Sequence, residues 1–149
     1  MSRSTYPASR ALLAAGVALP GRHLGPGGLA PHGAASVELV GASEGAKTSI
    51  MVAARLRRSP QAVVSLSAED TLQGTPVAPA ARRLHAPVLF VTARQDPYGS
   101  TEASGGFYRS APAMVKRLVT VPGRAHGTAL LANPTVRTTV LRFLAHHDR

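Results

Sequence analysis

The sequence predicts an α/β fold built on a mainly parallel sheet with flanking helices. From residue 36 onward, short apolar runs alternate with segments of helical character, which is the pattern of strand–helix–strand units. The strongest run, VLFV at 88–91, is apolar at every position, as expected of a strand covered on both faces. Polar residues follow three of the apolar runs, and in a parallel sheet such positions meet beyond the carboxyl ends of the strands.

Four strands and four helices are predicted after a Gly/Pro-rich segment, 19–36, that has no periodicity and is expected to be a loop. The strands are predicted at 36–41, 62–67, 86–93 and 116–123. The helices are predicted at 45–58 (closed by Ser59-Pro60), at 77–84, at 102–112 despite Gly105-Gly106, and at 134–147. The chain is therefore divided into an irregular N-terminal segment, 1–36, and a regular region, 37–149.

Composition excludes several classes of protein. With 149 residues the chain is long enough for one domain with a core, and the lack of cysteine excludes disulfides, thiolate catalysis and Cys-ligated zinc. A formal net charge of +10 raises nucleic acid or an anionic membrane as partners. However, the arginines are scattered and there is no Trp for base stacking, so a solvated helix exterior explains the charge better. Neither nucleic acid nor a membrane is predicted as a partner.

The first residues of the chain loosely imitate a targeting segment. Arg3 and Arg10 precede the apolar stretch ALLAAGVAL at 11–19, as in a signal peptide, but Pro20 and Arg22 interrupt the expected cleavage region. A short helix is the favoured interpretation of this stretch. No run approaches the roughly 18 apolar residues of a membrane span, so a cytoplasmic location is expected.

The stretch VELVGASEGAKT, at 37–48, permits two interpretations. Residues 41–48 come close to the phosphate-binding pattern G-x-x-x-x-G-K-[ST], but Ala46 stands where the glycine before the lysine is needed. Residues 41–45 match G-x-S-x-G, in which Gly41 and Gly45 let a strand and a helix approach closely while Ser43 is exposed in a strained turn. This second pattern alone is common by chance, so it requires a base and an acid elsewhere in the chain.

Two later strand ends supply those groups. A serine hydroxyl needs a base to accept its proton, and the base needs a carboxylate to orient it. Asp96 follows the strand VLFVTA in a loop marked by Pro97, and His126 follows the next strand, LVTV. The order serine, acid, histidine is that of α/β-hydrolases. Glu69 and Asp70, which follow the strand at 62–67, remain an alternative source of the acid.

At these residues the chain resembles the α/β-hydrolase family, particularly its small bacterial esterase and dienelactone-hydrolase-like members. The resemblance rests on VELVGASEG, APVLFVTARQDPYGS and VPGRAHG, in that order, and runs from about residue 37 to the C-terminus. It implies an esterase-like serine hydrolase in which Ser43 attacks an ester, His126 is the general base and acid, and Asp96 orients the histidine. The backbone N–H of Glu44 would stabilise the oxyanion. Residues 37–149 would then be the catalytic region.

The chain departs from the family near its beginning. Several strands precede the serine turn in the family, whereas only 36 residues precede residue 37 here, so an incomplete α/β-hydrolase fold is expected. His32-Gly33 lies too close to the serine strand to take the family's second oxyanion role. Loss of the early strands would leave one flank of the strand at 36–41 uncovered and open to self-association. A truncated, inactive hydrolase-fold protein that serves as a binding or assembly module is the alternative.

No cofactor and no metal are predicted. The remaining histidines show no paired metal-ligand spacing, and His146-His147 is expected to be a solvated tail. The expected partner is a small-molecule acyl substrate, with a homo-oligomer possible through an exposed sheet edge.

Overall fold

A five-stranded parallel sheet organises the residues that the computed structural model describes, 10–15 and 36–147. The strands are β1 Arg10–Ala15, β2 Ser36–Ala42, β3 Ala62–Leu66, β4 Thr71–Leu72, β5 Thr75–Pro76, β6 Val88–Ala93 and β7 Lys116–Val121. In the sheet they lie in the order β1-β2-β3-β6-β7. The two short strands β4 and β5 pair as a small antiparallel hairpin.

From β2 onward, helices lie between neighbouring strands of the main sheet or follow its last strand, and they cover both faces of the sheet. They are α1 Glu44–Ala53, α2 Ala78–Ala81, α3 Ser100–Ser110 and α4 Pro134–His147, with a 3-10 helix over Gly127–Ala132. Parallel neighbours require such crossovers, because the chain must return to the same end of the sheet before each new strand. In the described ranges no helix is both long and apolar enough to cross a membrane.

The core consists of two apolar layers, one on each face of the sheet. Successive residues of a strand point to opposite faces, so Val63 and Phe90 belong to one layer while Val64 and Leu89 belong to the other. The first layer packs against α1 and α3, and the second against α4 and the 3-10 helix. All residues of β3 and β6 are buried, as their predominantly apolar sequences predict, including the hydroxyl-bearing Ser65 and Thr92.

The predicted fold class is confirmed, and the element bounds differ mainly at two helices, of which the one predicted at 77–84 spans only Ala78–Ala81. The helix predicted at 45–58 ends at Ala53, because Arg55 N–H and Leu56 N–H both turn back to the Val52 carbonyl and the chain then heads toward β3. The helix at 100–110 forms despite its glycine pair. Ser104 and Gly105 are buried there, so the small size of these residues suits close packing.

The N-terminal expectations need two corrections. The helix expected at 11–19 is wrong for residues 11–15, which belong to strand β1 within the segment predicted to be irregular. The rest of that stretch, and the loop predicted at 19–36 as far as residue 35, lie outside the described residues. The flank of β2 is not uncovered, because β1 pairs with it in parallel from Arg10↔Ser36 to Ala15↔Gly41. A strand satisfies the backbone groups along β2 that would otherwise be exposed, which explains why this apolar stretch is extended. Self-association through a sheet edge stays a prediction.

Replacement of the central aromatic residue of β6 should destabilise the fold severely. Phe90 is fully buried and packs against Phe107, so Phe90→Ala is expected to lower the free energy of unfolding by about 3–5 kcal/mol. Leu141, which is 60% exposed on α4, provides the control, and Leu141→Ala should change stability by no more than about 0.5 kcal/mol. Urea unfolding of both variants measures the difference, and equal losses would contradict the assigned core.

Candidate active site

Ser43 occupies a strained turn between β2 and α1. Its backbone adopts φ 52° and ψ −118°, a conformation that non-glycine residues rarely adopt, and its N–H donates to the Leu66 carbonyl at 2.8 Å. Close approach of strand and helix enforces this turn, since a Cβ on Gly41 would lie 2.1 Å from the Gly45 carbonyl oxygen. The Ser43 side chain makes no capping hydrogen bond to α1, so its hydroxyl is available to groups outside the helix.

His126 is presented by the loop after β7, immediately before the 3-10 helix. Gly127 follows at φ 58°, a left-handed conformation that favours glycine, and its N–H donates to the Ser67 hydroxyl at 2.9 Å. The Tyr98 ring packs against the imidazole with ring centroids 4.5 Å apart. These contacts fix the loop to the end of β3 and support one face of the imidazole.

The structure brings the three predicted residues together at the carboxyl ends of three strands. His126 Nε2 lies 2.9 Å from Ser43 Oγ, and His126 Nδ1 lies 2.8 Å from Asp96 Oδ2. An acidic partner at Nδ1 favours the tautomer that carries its proton there, which leaves the Nε2 lone pair free to accept the Ser43 proton. The distances therefore form a continuous chain of hydrogen bonds from hydroxyl to imidazole to carboxylate.

Asp96 is held as a carboxylate. Its side chain is fully buried, and burial alone would raise its pKa. Hydrogen bonds from the Ser100 hydroxyl, the Tyr98 backbone N–H and the His126 ring, together with the charge of His126, outweigh that effect and lower the pKa of Asp96 below its usual 3.8. The Tyr98 N–H to Asp96 Oδ1 bond is 2.9 Å long. Asp96 is thus ionised at neutral pH and faces Nδ1.

A second carboxylate, Glu69, reaches the same site from the other side of the imidazole. Its Oε1 lies 3.3 Å from Ser43 Oγ and 3.2 Å from His126 Nε2. Sequence alone left Glu69 and Asp70 as alternatives to Asp96. In the structure Asp96 takes the Nδ1 position, whereas Glu69 approaches Nε2, where the proton would be exchanged.

Lys47 lies beneath Glu69 in the first turns of α1. The residue is only 4% exposed, and its Nζ contacts Glu44 Oε1 at 2.6 Å and Glu69 Oε2 at 2.5 Å. Burial would lower the pKa of Lys47, but hydrogen bonds and charge from both glutamates raise it above 10.5, so the side chain is an ammonium. Because its charge is engaged by two carboxylates, Lys47 is not directed at a phosphate, which argues against the phosphate-binding interpretation of residues 41–48.

The Glu44 carboxylate is paired with Lys47. Its side chain is 62% exposed and contacts Lys47 Nζ at 2.6 Å, while the residue itself begins α1 directly after Ser43. A carboxylate near a developing oxyanion would repel it, and the Lys47 ammonium offsets this negative charge.

Three residues support the site in ways that the sequence did not predict. Ser67 has φ 58° and bonds the His126 loop, Tyr98 packs on the imidazole, and Lys47 neutralises Glu69. Lys47 could have been found, because a lysine among the apolar positions of an amphipathic helix requires a buried partner. Ser67 gave no such signal, since a hydroxyl at the end of a strand has many ordinary explanations. Within residues 36–147, no group of three or more acidic or histidine side chains could hold a metal ion.

Comparison with known proteins places the fold. No protein-family model matches the chain, and no curated protein matches it. Among solved structures, it is similar to Est1E from Butyrivibrio proteoclasticus (TM-score 0.58, 20% identity, 76% of this chain and 63% of that one). It is also similar to the Pyrococcus furiosus esterase Pf2001 (TM-score 0.64, 16% identity, 78% and 55%) and to the enol-lactonase from Burkholderia xenovorans LB400 (TM-score 0.65, 12% identity, 74% and 66%).

These similarities establish an α/β-hydrolase fold over about three quarters of the chain, as the 74–78% coverage shows. The chain spans 55–66% of the length of these three structures, in agreement with the predicted incomplete fold. At 20% identity or less these similarities show the fold alone, so any activity has to be argued from the residues of this chain.

Addition of one methyl group at the turn should disrupt it. Gly41→Ala places a Cβ against the Gly45 backbone, which cannot move as a flexible side chain would, so the variant is expected to lose more than about 2 kcal/mol of stability. Gly106→Ala is the matched control. Its Cβ would meet nothing within 4 Å in α3, and helix propensity favours alanine by about 1 kcal/mol. Thermal unfolding of both variants measures the contrast, and similar shifts would contradict the close approach.

Acidification should remove the stabilising contribution of Asp96. Because its folded-state pKa lies below 3.8, the carboxylate stabilises the fold at pH values above 3.8, and this contribution is lost as the pH falls through the folded-state value. Asp96→Asn should therefore lose less stability than the parent between about pH 6 and pH 3. Asp70→Asn, at an exposed position, should follow the parent. Urea unfolding at both pH values measures the change in the free energy of unfolding. An equal change for Asp96→Asn and the parent would count against the prediction.

Proposed function

We propose that the protein is a serine hydrolase, esterase-like in its chemistry, that cleaves a small carboxylic ester or a related acyl substrate. One observation carries the proposal: the side chains of Ser43, His126 and Asp96 are joined by hydrogen bonds of 2.9 and 2.8 Å at the rim of the sheet. The strained serine turn and the α/β-hydrolase fold support it, because both are features of enzymes that use a serine nucleophile.

The reaction begins with attack by Ser43 on the ester carbonyl. The Oγ–C bond forms as the hydroxyl proton passes to His126 Nε2, and the carbonyl electron pair moves onto the oxygen. The intermediate collapses, the bond to the leaving oxygen breaks, and that oxygen takes the proton from Nε2. Water then attacks the acyl-enzyme carbonyl and gives a proton to His126 Nε2. The bond between the acyl carbon and Ser43 Oγ breaks, Oγ takes that proton, and the acid is released. Asp96 accepts from Nδ1–H throughout and stabilises the imidazolium.

The oxyanion is proposed to accept a hydrogen bond from the Glu44 backbone N–H. This group begins α1, where backbone donors have no partner within the helix and the helix dipole favours negative charge. Its carboxylate is turned toward Lys47, so the side chain does not compete for this role. Removal of one such donor typically lowers turnover by about 10²–10³-fold, and we expect the Glu44 N–H to contribute to catalysis by a similar factor.

Covalent labelling is the direct test. A fluorophosphonate should react with folded parent protein, because Ser43 Oγ displaces fluoride from phosphorus and gives its proton to His126. Ser43→Ala should show no adduct on residue 43. Ser43→Ala and His126→Ala should each lower p-nitrophenyl acetate turnover by about 10⁴–10⁶-fold, and Asp96→Asn by about 10⁴-fold. Peptide mapping locates the adduct, and circular dichroism confirms that each variant is folded.

The same experiment separates the alternative function. The chain spans only 55–66% of the three hydrolase structures described above, which motivates a non-catalytic binding or assembly module. Folded parent protein that is neither labelled nor active, or labelling that is equal in Ser43→Ala, would reject the hydrolase and favour that module. Turnover that disappears in His126→Ala would reject the module as the sole function.

A further inference from the structure

The imidazole of His126 has a carboxylate at each ring nitrogen, and only one of them is needed for its orientation. Asp96 accounts for Nδ1 at 2.8 Å. Glu69 Oε1 lies 3.2 Å from Nε2 and 3.3 Å from Ser43 Oγ, so it touches both atoms that exchange the proton. Its side chain is 18% exposed, and it comes from the loop after β3, a strand end that contributes neither Asp96 nor His126.

In the resting site this contact is weak. A neutral imidazole with its proton at Nδ1 presents a lone pair at Nε2, and a carboxylate oxygen facing that lone pair gains nothing. Ser43 Oγ lies closer to His126 Nε2, at 2.9 Å, than to Glu69 Oε1, at 3.3 Å, and the shorter distance favours donation of its single hydroxyl proton to the nitrogen. Glu69 therefore does not compete effectively for the proton before the reaction starts.

The contact becomes favourable when the proton moves. Once Nε2 is protonated, the imidazolium has an N–H at the nitrogen that faces Glu69 Oε1, and the 3.2 Å distance can shorten into a charge-assisted hydrogen bond. An interaction that is stronger after proton transfer than before it lowers the barrier and leaves substrate binding unchanged.

Lys47 makes this arrangement possible. Without it, a carboxylate next to a developing oxyanion would oppose the reaction. The Lys47 ammonium, 5% exposed at the side chain, contacts Glu69 Oε2 at 2.5 Å and so holds Oε1 toward the histidine while it offsets the negative charge. Glu44 Oε1 contacts the same Lys47 Nζ at 2.6 Å.

We propose that Glu69 is a further catalytic residue, a second carboxylate that stabilises the protonated Nε2 of His126 during transfer, and that Lys47 is its positioning residue. This inference rests on the proposed serine-hydrolase function. No new covalent step is added: the proton still comes from Ser43 and still leaves with the alcohol. Glu69 only accepts a hydrogen bond from Nε2–H while the proton is held there.

Steady-state kinetics of Glu69→Gln with p-nitrophenyl acetate test the catalytic role. Loss of the charge is expected to lower kcat about 10- to 100-fold with KM unchanged, the effect of one charge-assisted hydrogen bond that forms after substrate binding. Asp70→Asn removes the neighbouring exposed carboxylate and should keep kcat within about twofold. An unchanged or higher kcat in Glu69→Gln, or a change confined to KM, would overturn the proposal.

A double-mutant cycle tests the positioning role of Lys47. Lys47→Met leaves Glu69 without its partner and should lower both kcat and thermal stability. In the double variant Lys47→Met/Glu69→Gln no unpaired carboxylate remains at Glu69, so stability should be higher than in Lys47→Met, while kcat should equal that of Glu69→Gln alone. The double variant also covers the case in which Lys47→Met does not fold. A further tenfold loss of kcat in the double variant would overturn the positioning role.

Failure of this inference is distinguishable from failure of the proposed function. Parent protein that is folded but unreactive toward fluorophosphonate and p-nitrophenyl acetate would reject both. Parent protein that reacts at Ser43, with Glu69→Gln reacting equally fast, would reject the role of Glu69 alone and leave the serine hydrolase intact.

Discussion

The close approach of β2 and α1 at Gly41 is the constraint on which the rest of the site depends. Because a side chain at this position would collide with the Gly45 backbone, the strand can pass directly into the helix only through a very tight turn. That turn forces Ser43 to positive φ and turns its hydroxyl away from the helix. The backbone strain is tolerated because the Ser43 N–H is bonded to β3 and the first turn of α1 is anchored on the Ser43 carbonyl.

The topology converts this local constraint into a site. Since β2, β3, β6 and β7 all run in the same direction, the loops after them open at one edge, and each brings a polar group there. Ser43, Glu69, Asp96 and His126 come from these four loops in turn. Each carboxylate in this cluster has a partner: Asp96 faces the imidazole Nδ1, and Glu69 pairs with the Lys47 ammonium, which also contacts Glu44.

The fold class was predictable from the alternation of apolar strands with helices, and the meeting of the three candidate residues at one sheet edge followed from their places after parallel strands. Apolar runs such as VLFV identify buried parallel strands, and the G-x-S-x-G turn has a steric cause that the structure reproduces at Gly41. Strand β1 was missed because six residues of moderate apolar character suit a helix or a strand equally, and only pairing with β2 decides between them. The place of Glu69 depended on its side-chain direction relative to the imidazole, which the order of residues along the chain does not contain.

The end of β3 has a consequence for how the site moves. The Leu66 carbonyl accepts the Ser43 N–H at 2.8 Å, and the next residue, Ser67, accepts the Gly127 N–H at 2.9 Å. The serine turn and the His126 loop are thus hydrogen-bonded to adjacent residues, the last residue of β3 and the one that follows it. The Ser67 N–H in turn donates to the Val91 carbonyl of β6. Because both loops are attached to the same strand end, we expect small movements of the sheet to displace the Ser43 hydroxyl and the His126 imidazole together. The distance between them should then change less than it would if each loop moved on its own.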